Sequence, residues 1–224
     1  MRTLTLQIYP DIHPDSPREW DNTATMACWH GRYTLGDERP ASDPHTYMME
    51  LACPDLEKEL DEIWVRRYGD KPWDDKEQRE WTEYVKAAIE KRFDEKFYSL
   101  PLYLYDHGGI TMSTSSFSCQ WDSGQVGFIY IAKDDNAVEN WEQAKRTMQS
   151  EVETYDQYLR GEVHGFVLLD EKGNELDACW GFYGSDYKTN GMADYVDLDK
   201  VKLVQYMEEQ SHTTMGVRDE YELG

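Results

Sequence analysis

Residues 101–133 carry two acids and one base, in a chain whose 224 residues hold 45 Asp+Glu against 23 Lys+Arg. A stretch so poor in charge and so rich in Tyr, Phe, Gly and Ser belongs inside a fold rather than on its surface. Within it, Leu102–Tyr105 and Val126–Ile131 are short apolar runs suited to buried strands, and Ile110–Ser118 alternates between them. A strand-rich centre is therefore required, and the charged remainder must be arranged around it.

That remainder is uneven. Residues 1–53 and 54–100 each have a net charge of −4, the centre has −1, and residues 134–224 have −13, giving −22 in all. Such a field repels phosphates and anionic lipid and attracts basic surfaces, so direct nucleic-acid binding and membrane association are both disfavoured. No Lys/Arg patch with interleaved aromatics is present to reverse this. Mean hydropathy is −0.83, yet aromatics make up 13% of the chain, with eight Trp and sixteen Tyr. Disordered acidic chains are poor in aromatics, so this one is expected to fold. No apolar run approaches the roughly 18 residues of a membrane span, and MRTLTLQIYPDIHPD lacks the apolar core of a signal peptide. The expected compartment is the cytoplasm. Cys28, Cys53, Cys119 and Cys179 are far apart and never form CxxC, which suits reduced, mostly buried thiols.

Leu4, Leu6 and Ile8 alternate with polar residues, predicting a strand, and Pro10, Pro14 and Pro17 enforce an extended loop after it. Met26–Tyr33 reads as a second strand and Gly36–Pro44 as a loop. Helices are predicted from Pro54 to Gly69, with Leu56, Leu60, Ile63, Trp64 and Tyr68 on one face, and from Asp74 to Phe97, with a stripe that includes Trp81, Val85, Ile89 and Phe93. A third spans Ala137–Leu159 and turns Trp141, Met148, Val152 and Tyr155 inward. Val163–Leu169 and Glu175–Tyr183 form a hairpin over Asp170–Asn174, and Leu198–Gln210 is the last predicted helix. Strands and helices cluster instead of alternating, so the class is α+β, a mainly antiparallel sheet with three or four helices packed on it. No linker divides residues 1–224, which predicts a single domain.

Three constellations are candidates for chemistry. Asp106, His107, Cys119 and Asp122 fall in neighbouring turns of the centre. Asp106 and Asp122 could serve as metal ligands or acid/base groups with His107 as proton shuttle, or His107 could activate Cys119 as a nucleophile. The plainer reading is that both Asp bond local backbone N–H groups in ordinary turns, and it is preferred. Cys28 and His30 could face one side of a strand as a metal pair, but core packing for Cys28 and hydrogen bonding for His30 are preferred. Asp186, Asn190, Gly191, Asp194 and Asp197 fall at positions 1, 5, 6, 9 and 12 of a calcium-loop register. Lys188 stands at position 3, where an oxygen ligand is needed. No HExxH, GxSxG, Walker A or GxGxxG pattern occurs.

PREWDN with TMACWHGRYTLGDE (17–38), LPLYLYDHGGI with FSCQWDSGQVGFIY (100–130) and ETYDQYLRGEVHGF with ELDACWGFYG (153–184) resemble segments of uncharacterised bacteriophage and mobile-element proteins. Three separated blocks in the same order carry the resemblance, and it implies a small accessory protein acting in a bacterial cytoplasm. No catalytic residues come with it. Together with the −13 of residues 134–224, it leads to the expectation of an anti-defence binding protein, directed at a CRISPR or restriction complex. Its acidic face would mimic nucleic acid in a basic groove of a host protein. The contact acids expected are Glu142, Glu153 and Asp156 on the third helix, then Asp194, Asp197 and Asp199. This reading needs no cofactor. The alternative is a metal-dependent enzyme or metal-stabilised module centred on Asp106, His107 and Asp122, with a divalent metal.

Overall fold

The computed structural model describes residues 4–69, 74–119, 121–134 and 136–205. In chain order the elements are β1 (Leu4–Pro10), β2 (Thr25–Cys28), α1 (Pro44–Ala52), α2 (Leu56–Tyr68), α3 (Asp75–Lys96), β3 (Phe97–Asp106), β4 (Ile110–Ser113), β5 (Ser123–Ala132), α4 (Trp141–Leu159), β6 (Val163–Leu169), β7 (Glu175–Tyr183) and β8 (Val201–Gln205). Short 3-10 turns lie at Pro17–Glu19, Met192–Asp194 and Leu198–Lys200. The fold is α+β, with two four-stranded sheets in the orders β2-β5-β3-β4 and β7-β6-β1-β8. Among the named strands of the described residues, only β1 and β8 pair in parallel. Among the described residues no helix is long and apolar enough to cross a membrane.

The low-charge centre supplies three of the four strands of the first sheet, and its period-2 pattern sorts the side chains onto two faces. Leu102 and Leu104 of β3, Ile110 and Met112 of β4, and Ile129 and Ile131 of β5 face α4, which contributes Ala144, Met148, Val152, Tyr155 and Leu159. The opposite face presents Phe128 and Tyr130 to Tyr47 of α1, Leu60 of α2, and Ile89 and Phe93 of α3. Each large apolar side chain buried in this way contributes about 1.5–3 kcal/mol. Pro101 sits in β3 opposite Phe128. β4 pairs only with Tyr103–Asp106, so Pro101 lies on an open edge, where its missing N–H breaks no ladder. Gly127 is required on β5, because a Cβ there would lie 2.0 Å from the Ala27 carbonyl oxygen of β2.

The second sheet has its own core. Leu6 and Ile8, Phe166, and Phe182 are covered by Met192 and Val196 from the loop that follows β7. The predicted hairpin is present, with Asp170 accepting from the N–H groups of Lys172 and Asn174 and Gly173 at φ +80°.

Four elements differ from expectation. The Met26–Tyr33 strand ends at Cys28, because the His30 ring turns back to accept from the N–H groups of Arg32 and Tyr33. An unforeseen helix, α1, begins with Asp43 capping His45 and Thr46 and with Pro44 in the first turn, which are ordinary helix-start signals. The fourth helix starts at Trp141, where Asn140 caps Gln143, and Trp141 is 39% exposed rather than in the core. The expected helix at 198–210 is, over Val201–Gln205, a strand paired with the open side of β1; residues 206–210 lie outside the described residues. The spacing of Leu198, Val201 and Val204 imitates a helical stripe, but ladder bonds to β1 and the docking of Val201 on the second core decide the outcome.

Candidate functional site

The central turns bring Asp106, His107, Cys119 and Asp122 close together, as their positions at the ends of β3 and β5 require. The Asp106 N–H donates to the Asp122 carbonyl at 2.8 Å. The carboxylates diverge. Asp106 is ion-paired with Arg32 and accepts from the Tyr33 hydroxyl at 3.4 Å. Asp122 Oδ2 lies 3.4 Å from His107 Nδ1 and 3.6 Å from Cys119 Sγ. Cys119 therefore turns to a carboxylate and not to the imidazole that would activate it. The His107 side chain is 71% exposed. Among the described residues neither carboxylate accepts from a backbone N–H, so in place of the expected turn bonds these side-chain pairs tie the sheet's end together. Among the described residues no group of three or more His, Cys, Asp or Glu is placed to hold a metal ion.

The other pairings resolve in the same way. Cys28 is a core residue, and burial pushes its thiol up to about 12. His30 stacks on Tyr33 at 4.9 Å, and burial, aided by the charge of Arg32, lowers its pKa. In the calcium-like register Asp186, Asn190 and Asp197 make local contacts, while Asp194 is exposed. Asp186 accepts from the Lys188 N–H, Asn190 bonds the Gly184 carbonyl and the Met192 N–H, and Asp197 accepts from the Asp199 N–H and pairs with Lys200.

The six acids expected to meet a partner divide into two kinds. Glu142, Glu153, Asp194 and Asp199 are exposed. Asp197 is also exposed but is held by Lys200. Asp156 departs from expectation: its side chain is only 14% exposed, pairs with Arg160 at 2.9 Å and accepts from the Met112 N–H at 2.7 Å. That N–H belongs to β4, the edge strand of the first sheet, and the helix carboxylate satisfies it. Burial raises the Asp156 pKa, opposed by the Met112 and Arg160 contacts. Helical spacing placed Asp156 near the exposed stripe but carried no information about the strand edge it meets.

A feature that the sequence pattern concealed lies on the far side of the first sheet. The apolar stripes of α2 and α3, readable as core, do not close on each other completely. They leave a cleft of about 480 Å³ between α1, α2 and α3. Leu60, Val85, Ile89 and Met49 form its apolar surface, and Trp64 and Trp81 meet within it at 5.0 Å with ring planes 70° apart. Tyr68 stacks on Trp64 and Tyr84 on Trp81. Asp43, Glu57 and Asp61 bring carboxylates to the lining, with His45 and Lys86 as its basic groups. Thr46 holds the Asp43 carboxyl below its ordinary range through its hydroxyl and backbone N–H. The sequence signal for this site was the placement of Trp64, Tyr68, Trp81 and Tyr84, as many aromatics as there are Leu and Ile, on two otherwise polar helices.

Comparison with protein-family models, with curated proteins and with solved structures finds no match to this chain.

Proposed function

We propose that the protein is an anionic binding protein, of the accessory kind carried by bacteriophages and mobile elements. It occupies the basic nucleic-acid-binding groove of a host defence complex in the bacterial cytoplasm. One observation supports this reading above the others: several acids of the C-terminal part stand at the surface without cations of their own. Glu139, Glu142, Glu153, Glu175, Asp177 and Asp194 are all exposed, and none of them forms an ion pair among the described residues. Unneutralised carboxylates raise the on-rate toward a basic groove and make binding strongly salt-dependent. The Asp106 carboxylate is engaged by Arg32 and Tyr33 and that of Asp122 by His107 and Cys119, and no observation favours the metal or enzyme alternative.

Capture from a bacterial lysate on immobilised protein tests the reading. A nucleic-acid-processing complex retained at low salt, released at high salt and displaced by added duplex DNA is the expected result. Retention of no nucleic-acid-binding protein at low salt, or retention insensitive to both salt and DNA, overturns it.

A further inference from the structure

We propose that the cleft between α1, α2 and α3 is a binding site for an organic ammonium ion, a cationic amine head carried on a hydrocarbon stem. The inference stands apart from the acidic C-terminal surface, since the described residues that line the cleft come from α1, α2, α3 and the Asp43 cap.

Its volume of about 480 Å³ lies within the range of small-ligand sites. The chemistry of the lining selects the ligand. Glu57 and Asp61 are one turn apart on α2, and Trp64 follows Asp61 by three residues, so all three share a face. Among the described residues neither Glu57 nor Asp61 has an ion pair or a side-chain hydrogen bond. The basic residues of the lining are already matched from outside it: Lys86 Nζ lies 3.6 Å from Glu83, and His45 Nε2 lies 3.3 Å from Glu90. Among the described residues the cleft thus keeps an uncompensated negative potential, which rejects anions and leaves neutral ligands without a counterpart for the two carboxylates.

The aromatic corner narrows the class further. Trp64 and Trp81 stand at 70° to each other, and a stacked tyrosine holds each indole in place. Indole rings attract alkylammonium groups through the quadrupole, and both indoles line the cleft beside the two carboxylates. A bare metal ion would find no third ligand, since no cluster of three ligating side chains exists among the described residues. Leu60, Val85 and Ile89 accept the methylene stem, which a hydrated inorganic cation does not possess. The shared chemistry can come from a free polyamine or from a lysine side chain of a protein.

Calorimetric titration of the full chain with cadaverine and with N-acetyl-lysine methylamide, against sodium chloride at equal ionic strength, tests the site. Saturable binding of one equivalent of either amine, with no sodium signal, is the expected result. Binding of cadaverine alone identifies a free amine as the ligand, and binding of the lysine derivative identifies a side chain. The double variant Glu57→Gln, Asp61→Gln changes only groups at the solvent edge, and it should weaken binding about tenfold or more while keeping the parent's melting temperature. Trp81→Phe, which retains a ring with a weaker quadrupole, should weaken it less. No saturable binding of either amine, or equal affinity in the folded double variant, overturns the proposal.

Discussion

Arg18 and Glu151 are 133 residues apart in sequence, and their side chains meet at 2.9 Å. The Arg18 side chain is 4% exposed and Glu151 13%. The guanidinium also binds Asp37 through two nitrogens, at 2.8 and 2.6 Å, and donates to the Ala24 carbonyl at 2.7 Å. Glu151 in turn accepts from the N–H groups of Thr23 and Ala24. The PREWDN and LGDE segments are thereby pinned to the middle of α4, which gives these polar blocks a structural role.

Truncating one member of such a pair leaves a buried charge without its partner. Glu151→Ala should cost about 3–5 kcal/mol in denaturant unfolding. Glu151→Gln should cost less, because its amide oxygen can still accept from Thr23 and Ala24. Equal losses for the two variants would mean that the ion pair adds nothing beyond those hydrogen bonds.

Charge reversal separates the acids of α4. Glu142→Lys with Glu153→Lys changes exposed sites and should leave stability within about 0.5 kcal/mol per site, while abolishing capture of a basic partner. Asp156→Ala strands the Met112 N–H and should cost about 1–3 kcal/mol whether or not a partner binds there. A stable Asp156→Ala protein would contradict its role at the edge of β4.

Two close approaches to glycine should respond differently to an added methyl group. At Gly127 the obstacle is backbone, the Ala27 carbonyl oxygen at 2.0 Å, so Gly127→Ala must force β2 and β5 apart, at about 3 kcal/mol or more. At Gly165 it is the Trp180 ring at 2.1 Å, on a side chain that is 49% exposed and has solvent beside it to move into. Gly165→Ala should therefore cost clearly less in the same unfolding assay. The reverse order would show that Trp180 is fixed.

Burial lowers the His164 pKa, and contact with the Gly184 backbone and Glu162 opposes the shift. Its Nδ1 is buried without a partner among the described residues. The unfolded chain binds this proton first, so the contribution to stability is complete above the unfolded value of about 6.5 and is lost as pH falls through the lowered folded value. Melting temperature should decline on acidification below that point, and His164→Gln should flatten the decline. Parallel profiles for the two proteins would remove His164 as the cause. Asp156, with a raised pKa, acts in the opposite sense: its contribution is present below the ordinary carboxylate value and fades as pH rises through the folded one.

Local pattern alone determined much of this protein. The alternation of Leu4, Leu6 and Ile8, the inward stripe of Met148, Val152 and Tyr155, the Asp170–Asn174 turn and the apolar runs of the centre each encode an element within a dozen residues, because periodicity and turn chemistry act at that range. The same local information misled at Val201–Gln205, where the neighbouring β1 edge outweighs a helical spacing, and at Asp156, where a strand edge captures a carboxylate that its own helix would leave exposed. Tertiary structure alone decided that there are two sheets, that Arg18 joins Asp37 and Glu151, and that the stripes of α2 and α3 stop short of each other around Trp64 and Trp81. An apolar stripe specifies that a helix face leaves water, but only the angle and distance of its neighbours settle whether that face closes into core or remains open as a cleft.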